Sequence, residues 1–454
     1  MASAAEQLAA HMRFDTFIKA KDLHRRIWFT LAAMVIYRLG TFIPIPGIDP
    51  VAYAEAFAGQ SNGLLGMVNM FSGGAVERMA IFALNVMPYI SASIIVQLLG
   101  TMYPPWEKLR KEGGEAGRQT LNQYTRYLTV VLALFQAFAI ATTLQATPGL
   151  VPGPGLFFLL STVSTLTGGT MFLMWLGEQI TSRGLGNGVS LIIFAGIVAV
   201  LPRSAGQLFS MVSSGSMSAP SAAMIILGAS VVIVFIVFME RAQRRLYTQH
   251  PRRESGLRTV GPEASFLPLK VNTSGVMAPI FASSILLLPA TAMGLVANAD
   301  LPGWASWAPG LVSAFQHGQP AFMVFYGVLI VFFCFFYTSI MFNPDEVADN
   351  LRKSGGFLGG VRPGKQTAAR LDFVMTRITV IGAAYITLVC LLPEVLIGVY
   401  AIPFYLGGTS ILIVVSVTMD TVSAIQAHLI AHQYTGLLKT SRLHGARRAS
   451  NVLS

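Results

Sequence analysis

The sequence predicts an all-α integral membrane protein with ten transmembrane helices. Two observations carry that class. Hydrophobic residues fill 54% of the 454 positions and charged residues only 11%, a balance that excludes a soluble multidomain chain of this length. Apolar runs also recur between polar, Lys- and Arg-bearing loops, most near the roughly 20 residues a bilayer crossing needs.

In chain order, segment 1–26 is charged and mixed. It has no short apolar core followed by a small-residue cleavage site, so no cleaved signal is expected. It reads as a cytoplasmic amphipathic segment with Lys19, Lys21, Arg25 and Arg26 facing lipid headgroups. The ten runs follow at 27–43, 81–102, 127–147, 156–180, 189–201, 222–239, 276–297, 321–341, 378–396 and 404–430. The fifth is short unless it continues past Pro202 to Met211. This divides the chain into an N-terminal half (27–211), a C-terminal half (212–430) and a cytoplasmic tail (431–454). No repeat is visible residue by residue. Five spans plus five permit the inverted halves common in transporters and channels.

Charge fixes the orientation. Of 31 Lys and Arg, 28 lie in the N-terminal segment, the loops after even-numbered spans and the C-terminal tail. The other loops hold only Arg78 and Arg203. Basic loops stay cytoplasmic, so both termini are expected there. Anionic lipid accounts for much of such charge. Two cytoplasmic loops, 240–275 and 342–377, exceed that need: each is over thirty residues long and rich in arginine. Clustered guanidinium groups suit an acidic protein surface or RNA phosphate.

The stretch 62–99 does not read as one helix. Residues 64–71 are apolar but too few to cross, and Ser72-Gly73-Gly74 breaks the run. The next run carries Asn85, Pro88, Ser91, Ser93 and Gln97. Broken, polar-flecked helices sit inside protein or along a water-filled path, so this stretch suggests a route through the membrane.

No motif for catalysis stands out. The chain lacks an H-E-x-x-H helix and any cysteine pair at metal-ligand spacing. Cys334 and Cys390 lie in apolar runs. Gly359–Lys365 (GGVRPGK) imitates a phosphate-binding loop, but Gln366 replaces its Ser or Thr, and Pro363 removes a backbone donor. The expectation is a non-enzyme without cofactor or metal. Val86 and Ile90, like Val189 and Ile193, stand four apart, a spacing that ordinary helix packing explains.

Longer blocks carry a resemblance: YRLGTFIPIPGID (37–49), SGGA, MPYISASII, MFLMWLGEQITSRGLGNGVSLIIFAGIV (171–198), LPLKVNTSGVMAPIFASSI (267–285), FNPDEVADNLRKSGGF (342–357), RPGKQTA and PFYLGGTSILIVV (403–415). In order and over nearly the whole chain, these resemble the SecY family, the channel subunit of the general protein-translocation machinery. The resemblance implies two pseudo-symmetric inverted halves, spans 1–5 and 6–10, around a central pore with a short re-entrant plug helix. It implies a constriction ring of Val86, Ile90, Val189, Ile193, Ile280 and Ile413. The plug would be Gly63, Leu64, Leu65, Gly66, Met67, Val68, Asn69, Met70 and Phe71. A lateral gate would include Ser91, Gln97, Ser283 and Ser284, residues that helix packing explains equally well. Arg244, Arg245, Arg253, Arg258 and Arg362 would dock a partner.

The function implied is a protein-conducting channel passing unfolded, signal-bearing precursor polypeptides across a bacterial plasma (inner) membrane and releasing hydrophobic segments into lipid. The implied partners are the small membrane subunits SecE and SecG, the ATP-driven motor SecA, the ribosome with its rRNA, and anionic lipids. Three positions depart from the family pattern. Leu257 interrupts an adjacent arginine pair, Lys365 replaces a common acid and Asn85 a common glycine. A secondary solute transporter with inverted repeats is the alternative from the residues alone, disfavoured by the scarcity of intramembrane charge.

Overall fold

A computed structural model describes residues 20–60, 69–111, 113–146, 149–249, 253–255, 258–260, 265–286, 319–400 and 408–450. The segment expected at 1–19, plug positions Gly63, Leu64, Leu65, Gly66, Met67 and Val68, and Leu257 lie outside the described residues.

The elements in order are α1 (Lys21–Gly40), α2 (Pro50–Gln60), α3 (Met87–Met102), α4 (Pro104–Lys111), α5 (Gly114–Ala146), α6 (Leu156–Arg183), α7 (Gly188–Ser213) and α8 (Ala219–Arg241). After these come strands β1 (Gln243–Gln249), β2 (Arg253–Ser255), β3 (Arg258–Val260) and β4 (Ser265–Lys270). A short helix, α9 (Met277–Leu286), follows. The rest are α10 (Pro320–Met341), α11 (Pro344–Lys353), β5 (Phe357–Leu358), α12 (Lys365–Tyr400) and α13 (Gly408–Ser450).

Among the described residues seven helices are long and apolar enough to cross a membrane: α5, α6, α7, α8, α10, α12 and α13. α3 and α9 are apolar but shorter. α1 spans 20 residues and covers most of the first run. α7 runs straight through Pro202 to Ser213, so the fifth run takes its longer extent. α12 begins at Lys365, well inside what the sequence reads as a cytoplasmic loop.

The second run needs correction. Residues 81–86 are turns, and the helix starts only at Met87. The cause is local backbone: Met79 and Asn85 take φ +43 and +50, which an α-helix cannot hold. Pro88 then sits in the first turn, where its missing N–H costs nothing. The turn segment stacks between helices, with Tyr37, Phe82 and Phe172 in sequence at 6.2 and 5.8 Å between ring centres. Small residues permit this closeness. A Cβ at Gly40 would strike the Phe82 ring, and one at Gly169 the Ile81 carbonyl. On the same side Tyr53 of α2 packs on Phe57, and burial pushes its phenol up to about 12.

Both long loops fold, which the sequence reading does not anticipate. β4, β1 and β5 form one antiparallel sheet, with pairs running from Gln243↔Lys270 to Thr248↔Ser265, and Thr248↔Leu358 joining the second loop to the first. Leu246 and Leu267 face a small core with Leu358, Ala368 and Leu371. The two loops are therefore one unit.

Candidate functional site

One contiguous apolar cluster occupies the middle of the bundle. It contains Val86, Ile90, Ile193, Ile280 and Ile413, all buried, with Val189 half-buried against them. The structure thus brings together all six ring positions from four separate elements. Each is held locally. Val86 is the N-cap of α3, and the Ile90 amide donates to its carbonyl at 3.0 Å. Asn187 caps α7 by accepting from the Val189 and Ser190 amides at 3.1 and 3.4 Å, which fixes Val189 and, one turn on, Ile193. A Cβ on Gly408 would collide with the Val389 carbonyl of α12, so the start of α13 is set five residues before Ile413. Four isoleucines and two valines offer stiff, branched surfaces without a polar group. Such a cluster resists wetting and offers no specific hydrogen-bonding partner.

Against this cluster lies the segment 69–77. Only Asn69, Met70 and Phe71 of the expected plug are described, and they form a helical turn. Its anchors come from every side. Asn85 Nδ2 donates to the Phe71 carbonyl at 2.7 Å, Tyr37 Oη to the Ser72 carbonyl at 3.1 Å, and Arg38 to the Gly73 carbonyl at 2.6 Å. The Ser410 hydroxyl of α13 lies 3.4 Å from Met70 Sδ, and Asn69 Oδ1 accepts from the Glu77 amide at 2.9 Å. Glu77 pairs with Arg203 at 2.7 Å. Arg38 and Arg78 both stack on Phe42, at 4.8 and 4.2 Å from its ring centre. Arg38, Arg78 and Arg203 thus gather around this segment. Sequence reasoning gave Tyr37, Arg38 and Ser410 no role. Asn85 was visible as a glycine replacement, and its φ of +50 explains why asparagine substitutes there.

The gate positions divide. Ser284 Oγ donates to the Ile280 carbonyl at 2.8 Å and approaches Met87 Sδ at 3.7 Å, the one hydrogen bond described at these positions that reaches from α9 to α3. Ser283 bonds back to Ile280 within its own helix, and Gln97 donates to Ser93 four residues away. Ser91 is buried on α3. For Ser283 and Gln97 the packing explanation accounts for every hydrogen bond described.

The arginines expected to dock a partner lie on the folded loops. Arg244 and Arg245 are exposed on β1, opposite Leu269 and Pro268. Arg253 and Arg258 lie in the paired strands β2 and β3. Arg362 is exposed four residues beyond β5, and its carbonyl accepts from Thr367 Oγ1 at 2.9 Å. The outer face of the sheet adds an aromatic pair, Tyr247 against Phe266 at 4.7 Å, both about half exposed.

The family model SecY matches residues 80–422. The protein translocase subunit SecY of Vibrio cholerae is 48% identical over 94% of this chain and 96% of its own, and that of Escherichia coli K12 is 48% identical over 94% and 96%. A solved protein-conducting channel superposes with a TM-score of 0.67 at 16% identity, covering 89% of this chain and 92% of that one. Sec61 in a canine ribosome–channel complex superposes at 0.63 and 15% identity, covering 89% and 92%.

Proposed function

The chain belongs to the SecY family, and from that premise we propose how its own residues make and control the channel. It is a protein-conducting channel and a subunit of a membrane translocon. That displaces the solute-transporter alternative. Val86, Ile90, Val189, Ile193, Ile280 and Ile413 close around a moving chain as an apolar ring. The single observation that carries this is their convergence, from four elements, in one cluster. The segment ending at Phe71 plugs the outer side of that ring. α3 and α9 part at the Ser284–Met87 contact to release hydrophobic segments toward lipid. The domain limits inferred from the runs, with both termini cytoplasmic in a bacterial inner membrane, are part of the same reading.

Energy comes from a separate motor. The arginines of the joined loops dock SecA during export and the ribosome during insertion, and SecE and SecG complete the complex. Support comes from Arg244, Arg245 and Arg362, which lie on or just beyond one sheet that also carries an exposed aromatic pair, a surface suited to acidic side chains or phosphate. The test is reconstitution in lipid vesicles with SecE, SecG, SecA, ATP and a signal-bearing precursor. Protease-protected precursor is expected only when this chain is present. Absence of protection in a correctly inserted complex overturns the assignment of motor-driven export to it.

Gly196 tests the plug. A Cβ there would meet the Phe71 carbonyl, with the Tyr37 hydroxyl at 3.0 Å and the Gly73 amide at 3.2 Å. Gly196→Ala is expected to unseat the segment at a cost of about 1–3 kcal/mol, typical of overpacking. Resting ion conductance in planar bilayers should rise about tenfold, since each 1.4 kcal/mol is a factor of ten. Conductance equal to the parent would count against the plug.

A further inference from the structure

We propose that Glu240 and Asn272 form a clasp that passes movement of the docked cytoplasmic hairpin to the gate helix α9. The inference rests on reading that hairpin as the motor's docking surface. It makes both side chains positioning residues, acting through α9 and never on the precursor.

Connectivity comes first. α8 ends at Arg241, a single residue separates it from β1, and β4 ends at Lys270, just before the turn that opens α9. The hairpin is therefore spliced between α8 and the short apolar helix α9. Its ladder does not stop at the last strand pair, Gln243↔Lys270. The Val271 amide donates to the Ala242 carbonyl at 3.0 Å, and one step further Asn272 Nδ2 donates to Glu240 Oε1 at 2.6 Å. Backbone pairing thus passes into a side-chain bond with no slack between them.

Asn272 then uses its other end. Its Oδ1 accepts from the Gly275 amide at 2.9 Å and from the Ser274 hydroxyl at 3.0 Å, bracing a turn in which Gly275 takes φ +57. One amide thus joins Glu240, through its donor, to the turn before α9, which it holds through its acceptor and through a longer Nδ2 bond to the Gly275 carbonyl at 3.4 Å. Few side chains fit both tasks. Aspartate would present only acceptors and repel Glu240, and serine is too short to reach both sides. Asn272 and Ser274 are buried, where a bond to a carboxylate is stronger than in water.

The turn is confined from behind. A Cβ on Gly382 of α12 would come within 2.6 Å of the Val271 carbonyl, and Ser274 Oγ lies 3.6 Å from Cys334 Sγ on α10. It has space on one side, a cavity of about 190 Å³ bordered by Glu240, Asn272, Ser274 and Ser190. From the braced turn, α9 carries Ile280 into the ring cluster and Ser284 to Met87. Met87 adjoins Val86 and Asn85, and Asn85 holds Phe71. Displacing the hairpin base thus displaces ring, gate and plug anchor together.

The experiment places an environment-sensitive dye at Ser283→Cys in the full complex with SecE and SecG in vesicles. It reads SecA binding, the dye's emission on adding SecA with a non-hydrolysable ATP analogue, and protease-protected precursor with ATP. Glu240→Ala should bind SecA within about twofold of the parent yet lose the emission change, with export falling about tenfold, the loss expected when one buried donor is left without its partner. Glu240→Gln keeps an acceptor oxygen and should restore both readouts. A parental emission change and export in Glu240→Ala would overturn the clasp. So would loss of SecA binding in that variant, or failure of Glu240→Gln to rescue. A parent complex that exports precursor without any emission change would overturn the clasp while leaving the channel reading intact. One that neither binds SecA nor exports would overturn the docking reading, and the clasp with it.

Discussion

Arg362→Glu is expected to lower SecA-driven export about thirtyfold while the protein stays folded and inserted. The arginine is exposed, so nothing inside the fold depends on its charge. Its turn is held by other means. Thr367 Oγ1 donates to the residue 362 carbonyl, the Val361 amide to the Leu358 carbonyl at 3.0 Å, and Gly360 and Gly364 supply the positive φ angles of +80 and +103. A glutamate fits this backbone unchanged. Across an acidic contact, however, it replaces attraction with repulsion. A charge-assisted hydrogen bond contributes about 1.5–3 kcal/mol, and losing about 2 kcal/mol corresponds to the thirtyfold effect. Precursor protection in vesicles, scored against SecA concentration, reads it directly. Higher SecA should partly restore the rate, because the loss lies in binding. Raising ionic strength should weaken the parent more than the variant, since screening acts on the attraction. Undiminished export by Arg362→Glu would remove this arginine from the docking surface.

The contrast between Arg362 and its neighbours shows what the sequence could reveal. Hydropathy located the seven helices that are long and apolar enough to cross, because a bilayer demands long apolar runs whatever the fold inside. It could not see that Ile81 to Val86 are turns. Their apolar side chains satisfy a hydropathy window equally well in either conformation, and the deciding feature is the positive φ at Asn85 and Met79. It also read Pro202 as a possible stop where α7 continues. The sheet of the cytoplasmic loops was hidden for another reason. β1 alternates Leu246 and Thr248 with Arg245, Tyr247 and Gln249, too short and too charged a pattern to stand out, and its partners lie about twenty and over one hundred residues away. The convergence of the six expected ring positions was legible only through family resemblance. Val86 and Ile90 look like ordinary packing until Ile280 and Ile413 arrive beside them. Among the hydrogen bonds described at the four expected gate positions only that of Ser284 crosses between α9 and α3, and nothing in serine spacing singles it out from Ser283.

Replacing Asn85 should produce the largest change in the resting channel. The residue meets two demands at once: it takes φ +50, and its amide donates to the Phe71 carbonyl at 2.7 Å in a buried setting. Glycine satisfies the first demand alone. Asn85→Gly is therefore expected to lose only the bond, leaving a buried carbonyl unpaired at about 1–2 kcal/mol. Resting conductance should rise about tenfold. Asn85→Ala loses the same bond and adds left-handed strain of about 1–2 kcal/mol. If the turn relaxes when the segment leaves, the combined 2–4 kcal/mol favours the unseated state by about thirtyfold or more. The order parent, glycine, alanine separates the two terms in a single conductance series on planar bilayers. Asn85→Asp extends it: a carboxylate directed at the Phe71 carbonyl repels where the amide attracted, so it should leak more than glycine despite tolerating the same backbone. Equal conductance for parent and Asn85→Gly would show that the bond to Phe71 does not hold the plug. Tyr37, Arg38 and Ser410 would then be left as its anchors.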